Sequence, residues 1–380
     1  MQIIKQVNFN PNFKILDGLR GIAATYVVIN HCRGNLLIGG TDLSKIIPFE
    51  EWSIGTKVYY SLLQLTALGR EFVVFFFVLS GFSIAHSLSK NQSILSFLER
   101  RFIRLYPPYI TALCWAALIF FLVQYFAPNQ LTLSMKSVFY NFNYIFSNLL
   151  YFTKGDLVAP FWSLTHEVLF YLLIPIVFLL NVNYYFVISL LLYLSSFIFS
   201  SNETAGNNVL TQFLFDYNIF FVFGIILYKK FNQIKVSLIL EERWFWIIIS
   251  ILVLCMIASK FILGVDNRIS LQISALLSII MIVNFLNYKY LNPLIEYLGK
   301  MSYTIYISHF ASMYLFIIIL DVLGYGFHTQ ITNWYVWIIG IFFCLFISIP
   351  LFYIAEYPSK LFLQKKRTRN QRTINEHPNK

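Results

Sequence analysis

Two ionisable side chains, Arg20 and His31, lie eleven residues apart in one largely apolar stretch of the 380-residue chain. Eleven helical steps of about 100° end within about 20° of the starting direction, so both side chains project from one helix face, about 16 Å apart. Ionisable groups at membrane depth usually face a bundle interior or a water-filled cavity. We interpret Arg20 as an anion-holding residue and His31 as a general base nearer the opposite membrane surface. The alternative is an arginine that reaches the lipid headgroups and a structurally hydrogen-bonded histidine.

A second basic group consists of Arg100, Arg101 and Arg104, just before a long apolar segment. Arginine binds phosphate through two parallel hydrogen bonds and is only weakly hydrated. The cluster therefore suits a phosphate-bearing molecule that arrives from the cytosol. The alternative is the positive anchor that membrane proteins carry on their cytoplasmic side.

Polar residues open a further apolar segment at Trp162, Ser163 and Glu167, which we place at the outer end of a membrane span. One interpretation puts Glu167 in a second pocket, orienting a hydroxyl group or the His31 imidazolium. The other is an interfacial tryptophan and a first-turn glutamate that complements the helix dipole. For Ser80 and Gly81 we favour small-residue helix packing over a nucleophile, because no G-x-S-x-G elbow surrounds them.

The composition places these residues in a membrane. Of all residues 58% are hydrophobic and 12% are charged, whereas a soluble domain carries about 25% charged residues. The four cysteines have neither disulfide-framework nor metal-ligand spacing. His166-Glu167 begins an H-E-x-x-H pattern, but Phe170 takes the last position. We therefore predict no metal site.

Ten apolar runs are long enough to form membrane-spanning helices, which need about 20 residues each. They are Leu19–Ile38, Glu71–Leu88, Tyr106–Phe126, Phe161–Leu180, Tyr184–Ser200, Val209–Tyr228, Trp244–Leu263, Ile269–Leu286, Ser302–Leu320 and Trp334–Ala355. Trp52–Gly69 and Leu131–Phe152 are apolar but interrupted, and we interpret them as extensions, interfacial helices or re-entrant pieces. The sequence thus predicts an all-α integral membrane protein, one bundle of about ten helices over residues 1–360, followed by a basic cytoplasmic tail over residues 361–380.

The distribution of Lys and Arg gives the expected orientation. With the N-terminus in the cytoplasm, nineteen of the 28 fall in inner segments, eight in outer segments, and Arg20 lies within the first span. Cytoplasmic loops carry such an excess, so both termini are expected in the cytoplasm. The formal net charge of +11 then reflects topology and contact with anionic lipids rather than nucleic-acid binding.

Six motifs, in order along residues 16–358, resemble those of the acyltransferase-3 family of membrane acyltransferases, which act on bacterial surface polysaccharides and related substrates. They are residues 16–23 with His31, residues 76–82, residues 101–107, residues 162–164 with Glu167, Phe170 and Tyr171, residues 297–303 with His309, and residues 356–358. The family pairs an arginine and a histidine with ten residues between them, as Arg20 and His31 are. Two residues depart from the family pattern. Val74 lies where many members carry an acidic residue, and His166 lies where a small or apolar residue is expected.

The resemblance implies an O-acyltransferase that moves an acyl group, with acetyl expected, from cytosolic acyl-CoA to a hydroxyl of a saccharide or lipid-linked glycan. No bound cofactor is expected, and the location is the inner (plasma) membrane. His31, Arg20 and Glu167 would be catalytic, and Arg101, Arg104 and Arg100 would hold the phosphates of CoA. Trp162, Ser163, Ser80, His309 and Tyr303 would line the cavity. The alternative is a secondary transporter of a polar solute, against which stands the lack of a visible internal repeat.

Overall fold

The computed structural model describes residues 12–89, 93–126, 149, 158–179, 181–199, 208–264, 267–286, 291–324 and 334–376, and within these ranges it is helical without strands. The helices are α1 (Phe13–Leu36), α2 (Gly40–Ile46), α3 (Ile54–Leu63), α4 (Gly69–Leu88), α5 (Ile94–Phe126), α6 (Trp162–Leu179), α7 (Val182–Phe199), α8 (Val209–Gln212), α9 (Asn218–Lys229), α10 (Phe231–Leu238), α11 (Glu242–Leu263), α12 (Arg268–Phe285), α13 (Pro293–Val322), α14 (Trp334–Leu351) and α15 (Tyr357–Glu376). Two π-helical turns, Phe213–Tyr217 and Phe352–Glu356, join α8 to α9 and α14 to α15.

A helix lies at each of the ten predicted segments, and the all-helical multi-pass architecture is confirmed. Within the described residues, seven stretches are long and apolar enough to cross a membrane: Ile54–Leu88, Ile94–Phe126, Val209–Lys229, Glu242–Leu263, Arg268–Phe285, Pro293–Val322 and Trp334–Lys366. Helices α1, α6 and α7 are not among the seven. The count of ten and the cytoplasmic termini therefore stay predictions. The interrupted segment Leu131–Phe152 lies outside the described residues except for Leu149.

Helices α1 and α13 form the most extensive helix pair among the described elements. Two glycines allow this approach: a Cβ atom added at Gly21 would lie 2.5 Å from the backbone nitrogen of Gly299. Small residues let helix backbones come close in membrane bundles, where packing and hydrogen bonds drive association. This contact brings the face of α1 that carries Arg20 and His31 against the cavity-lining face of α13.

Helix α4 packs against α9 in the same way. A Cβ atom at Gly81 would lie 1.9 Å from the carbonyl oxygen of Phe221, and one at Gly224 would lie 2.1 Å from that of Val78. Because α4 is buried along most of its length, this packing fixes the helix that presents Ser80 to the interior.

Helix α13 is held from its side by an ion pair on the last helical segment. The buried carboxylate of Glu356 accepts hydrogen bonds from the backbone nitrogen of Thr304 at 3.0 Å and from its hydroxyl at 2.6 Å. Lys360 pairs with Glu356 at 2.7 Å and donates to the carbonyl oxygen of Lys300. Glu356 and Lys360 thus fix the N-terminal half of α13, which carries Tyr303.

The carboxylate that the family places at Val74 is absent, and the acidic residue one helical turn earlier has another partner. Val74 is fully buried, while the Glu71 carboxylate pairs with Lys260 at 2.9 Å. Lys260 also donates to the carbonyl oxygen of Ala67 at 2.8 Å. This pair joins α11 to α4 and contributes no side chain to the cavity.

Candidate active site

Five helices, α1, α4, α5, α6 and α13, enclose a cavity with an empty volume of about 730 Å³, including the part open to solvent, and both charged and apolar side chains line it. Seven of the predicted site residues line it together: Arg20, Ser80, Arg101, Arg104, Ser163, Glu167 and Tyr303. The motifs at residues 16–23, 76–82, 101–107, 162–171 and 297–303 therefore meet at one place.

Arg101 and Arg104 face this cavity from one side of α5. The Arg101 guanidinium lies 5.3 Å from the ring centre of Phe97 and 5.6 Å from that of Tyr171. Neither arginine has a hydrogen bond or an ion-pair partner within 4 Å among the residues described. The Glu167 carboxylate acts on both guanidinium groups through space without pairing with either. Guanidinium groups that make no direct ion pair favour binding of an anion from outside the chain.

Arg20 reaches the same cavity from α1, but its guanidinium group is already bonded. One nitrogen pairs with Asp17 Oδ1 at 2.8 Å, and the other donates to Ser83 Oγ at 2.6 Å. These bonds fix the side chain in the wall of the cavity. Arg20 adds positive charge there, in a fixed position.

Glu167 lies opposite Arg101 and accepts two hydrogen bonds through Oε1. Ser80 Oγ donates at 3.0 Å, and the Tyr171 hydroxyl donates from one helical turn further along α6. The Tyr171 ring also contacts Arg101. The structure thus places Glu167 beside the arginines and records no contact between Glu167 and His31.

Tyr306 lines the cavity beside the start of α6. Its hydroxyl hydrogen-bonds to Ser163 Oγ at 2.7 Å and donates to the carbonyl oxygen of Pro160 at 3.2 Å. Tyr306 lies near the middle of α13, so α6 begins beside the middle of that helix. The location of this segment at the outer end of a membrane span stays a prediction.

The two predicted histidines do not line the cavity and lie next to it as a pair. The His31 and His309 ring centres are 5.3 Å apart, and the His309 ring centre is 6.0 Å from that of Tyr306. Going outward from the cavity, the order is therefore Tyr306, His309 and His31. Arg20 lines the cavity, and His31 lies beside His309 next to it. That both line one pore stays a prediction.

Arg100 and Trp162 also lie outside the cavity lining. Trp162 belongs to an aromatic cluster behind the wall, in which the His166 ring stacks on Tyr217 with ring centres 4.7 Å apart. In the part of the chain that the structure describes, no group of three or more His, Cys, Asp or Glu could hold a metal ion.

Four polar lining residues were absent from the predicted site set: Ser83, Tyr171, Ser302 and Tyr306. Helical spacing was the available signal, because Tyr306 lies three residues from both Tyr303 and His309. Residues three apart share a helix face. Ser83 similarly follows Ser80 by three residues, on α4.

Fold and cavity together define a multi-pass helical membrane protein with a strongly cationic internal cavity. The acyltransferase domain of the acyltransferase-3 family matches residues 13–353. The chain belongs to this family, as its motifs predicted.

A similar protein is the acyltransferase MdmB of Streptomyces mycarofaciens, which is 31% identical over 169 residues. The aligned region covers 42% of this chain and 38% of that relative. No solved structure matches the chain significantly.

Proposed function

We propose that this protein is a membrane O-acyltransferase that moves an acyl group from cytosolic acyl-CoA to a hydroxyl of an exported or cell-surface saccharide. Acetyl-CoA is the proposed donor, and the acceptor is a saccharide or lipid-linked glycan. The proposed location is the inner (plasma) membrane. Membership of the acyltransferase-3 family supports the reaction class.

The observation that carries the proposal is the pair of guanidinium groups of Arg101 and Arg104, which make no ion pair with any described residue, in a cavity that ends beside two histidines. CoA carries several phosphates, and arginine binds phosphate through two parallel hydrogen bonds. Arg20 adds positive charge in the same cavity. Arg100 lies directly before Arg101 on α5. The phosphates of the donor would occupy this inner region, with the pantetheine arm extending towards Tyr306.

Transfer would occur where the thioester meets the histidine pair. His31 takes the proton of the acceptor hydroxyl, and the oxygen attacks the thioester carbonyl. The carbon–sulfur bond then breaks, and CoA leaves towards the cytosol. An acyl group held transiently on His31 is a second route to the same products. Because Tyr306 lies between the cavity and His309, the proposal includes displacement of this ring when the thioester advances.

The test is release of CoA by the purified full-length protein supplied with acetyl-CoA and candidate saccharides. The proposal predicts stoichiometric appearance of CoA and of an O-acetylated saccharide. The surface polysaccharide of a deletion strain, compared with that of its parent, would identify the acceptor through its missing acyl groups.

A secondary transporter gives a different result in the same preparation. It would move a polar solute across a sealed vesicle without consuming a thioester. Two results together would contradict the proposal. The protein would take up solute without releasing CoA, and it would bind acyl-CoA no better than a control membrane protein.

A further inference from the structure

His309 has a bonding pattern that fixes which of its nitrogens carries the proton. Its Nδ1 atom lies 2.8 Å from the carbonyl oxygen of Tyr306 and 3.1 Å from that of Ile305. A carbonyl oxygen only accepts hydrogen bonds, so Nδ1 must be the N–H donor. A neutral imidazole has a single N–H group. Nε2 therefore carries a free lone pair.

This Nε2 atom is buried and has no hydrogen-bond partner in the described part of the chain. The whole His309 side chain is 0% exposed. A buried acceptor left without a partner costs about 1–3 kcal/mol, and such groups in native proteins call for an explanation, catalysis being one. His86 and His166 each also have one buried ring nitrogen without a hydrogen-bond partner among the described residues, so the position of His309 beside His31 and the cavity is what distinguishes it.

The neighbours of His309 indicate a role for the lone pair of Nε2. His31 lies on one side of it, with ring centres 5.3 Å apart, and Tyr306 at the end of the donor cavity lies on the other. The His31 ring nitrogens also make no hydrogen bond to any described residue. His309 thus neighbours both the proposed base and the residue at the end of the donor cavity.

The proposed reaction needs a proton on the donor side. The hydroxyl loses its proton to His31, while the departing CoA sulfur leaves as a thiolate and must gain one. Each turnover therefore releases one proton at the acceptor oxygen and consumes one at the sulfur.

We propose that His309 is a catalytic residue that carries this proton from His31 to the departing sulfur. Nε2 accepts the proton from His31, through a bridging water or a small rotation of the rings, and then donates it to the thiolate. The Nδ1–H bond to the α13 backbone holds the ring in orientation throughout. The inference rests on the proposed acyl transfer and extends it, because His31 alone would leave the proton on the acceptor side.

The first experiment replaces His309 by Asn and, separately, by Gln. The Asn amide retains a donor near the position of Nδ1, the Gln amide reaches the position of Nε2, and neither side chain is a useful base. General acid–base catalysis contributes about 10²–10⁴-fold, so kcat per folded molecule should fall at least about 100-fold with unchanged acetyl-CoA affinity. His86→Asn, a buried histidine of α4 outside the cavity lining, is the matched control and should retain normal turnover.

The second experiment varies the leaving group. Acetyl thioesters of acidic aryl thiols leave as stable thiolates and need no protonation. They should restore turnover to His309→Asn far more than to His31→Ala, because only the His309 variant lacks the acid for departure. Equal rescue of both variants would overturn the proposal.

Turnover of either His309 variant above about a tenth of wild type, with acetyl-CoA as donor, would also overturn it. A wild-type protein that releases no CoA would instead contradict the proposed function itself. The two failures are therefore distinguishable.

Discussion

The guanidinium group of Arg101 has aromatic neighbours but no anionic partner among the residues described. Arg101→Lys keeps the charge and removes the planar pair of donors. Net hydrogen bonds to charged groups contribute about 1.5–3 kcal/mol, so the acyl-CoA dissociation constant should rise about tenfold or more. Calorimetry or fluorescence titration on purified protein would measure it.

Arg243→Lys is the matched control for this change. Arg243 stacks on Trp244 at the start of α11, outside the cavity lining. Its substitution should leave donor affinity unchanged. If the two lysine variants bind acyl-CoA equally well, Arg101 is only part of the cytoplasmic anchor.

His31→Ala tests the proposed base. Loss of a general base should reduce turnover about 10²–10⁴-fold in a protein that remains folded and inserted. A structural histidine would lose folded protein and activity together. Turnover per folded molecule and melting temperature, measured on the same detergent-purified sample, separate the two roles. Retention of more than about a tenth of wild-type turnover would remove His31 from the mechanism.

The sequence predicted the charged residues that line the cavity but not the arrangement of the side chains between the cavity and His31. Arg20, Arg101 and Glu167 were expected together, and they share one cavity. Tyr306 and His309 stand between that cavity and His31. Their position depends on how far α13 is shifted along α1, and the sequence of a single helix carries no information on such a shift.

At the scale of elements, the interface between α1 and α13 sets this shift. A Cβ atom at Gly299 would lie 2.5 Å from the carbonyl carbon of Asp17 and 2.7 Å from the nitrogen of Gly18. Because both contacts are to backbone, the helices themselves must separate to admit a methyl group. The histidines lie further along the same interface, so the spacing of their rings depends on it.

Gly299→Ala should therefore destabilise the protein and reduce transfer. Overpacking typically costs about 1–3 kcal/mol, and we expect a lower melting temperature with a further loss of turnover per folded molecule. Gly34→Ala on α1 is the control, because nothing lies within 4 Å of its added Cβ atom, and alanine is the better helix former. Equal melting temperatures for the two variants would show that the helices tolerate separation.

Apolar run length predicted the helical segments well, because it depends on local composition alone. Apolar run length could not predict the depth at which a helix begins in the bundle or the angle at which it crosses its neighbours. Ser163 bonds to Tyr306 near the middle of α13, a contact that hydropathy cannot predict. Where a helix starts within a bundle is decided by such tertiary contacts.

For the whole molecule, the distribution of charge gives the orientation on which the donor argument depends. Reporter fusions should place the segment around Lys90, the loop at residues 229–235 and the C-terminal tail in the cytoplasm. Nineteen Lys and Arg residues lie in segments expected in the cytoplasm and eight in segments expected outside, and the reporter signals should agree with this division. A tail that reports from the outside would reverse the arrangement and put Arg101 on the wrong side for cytosolic acyl-CoA.

The central claim is that an acyl group passes from a donor on the tail side of the membrane to a hydroxyl on the other side. The most direct measurement uses sealed proteoliposomes of known orientation, with acetyl-labelled acetyl-CoA on one side and a membrane-impermeant saccharide acceptor on the other. We predict label on the saccharide only when acetyl-CoA is on the side of the C-terminal tail and the acceptor is opposite. Labelling that occurs equally with the two substrates exchanged, or only with both on one side, would contradict the account.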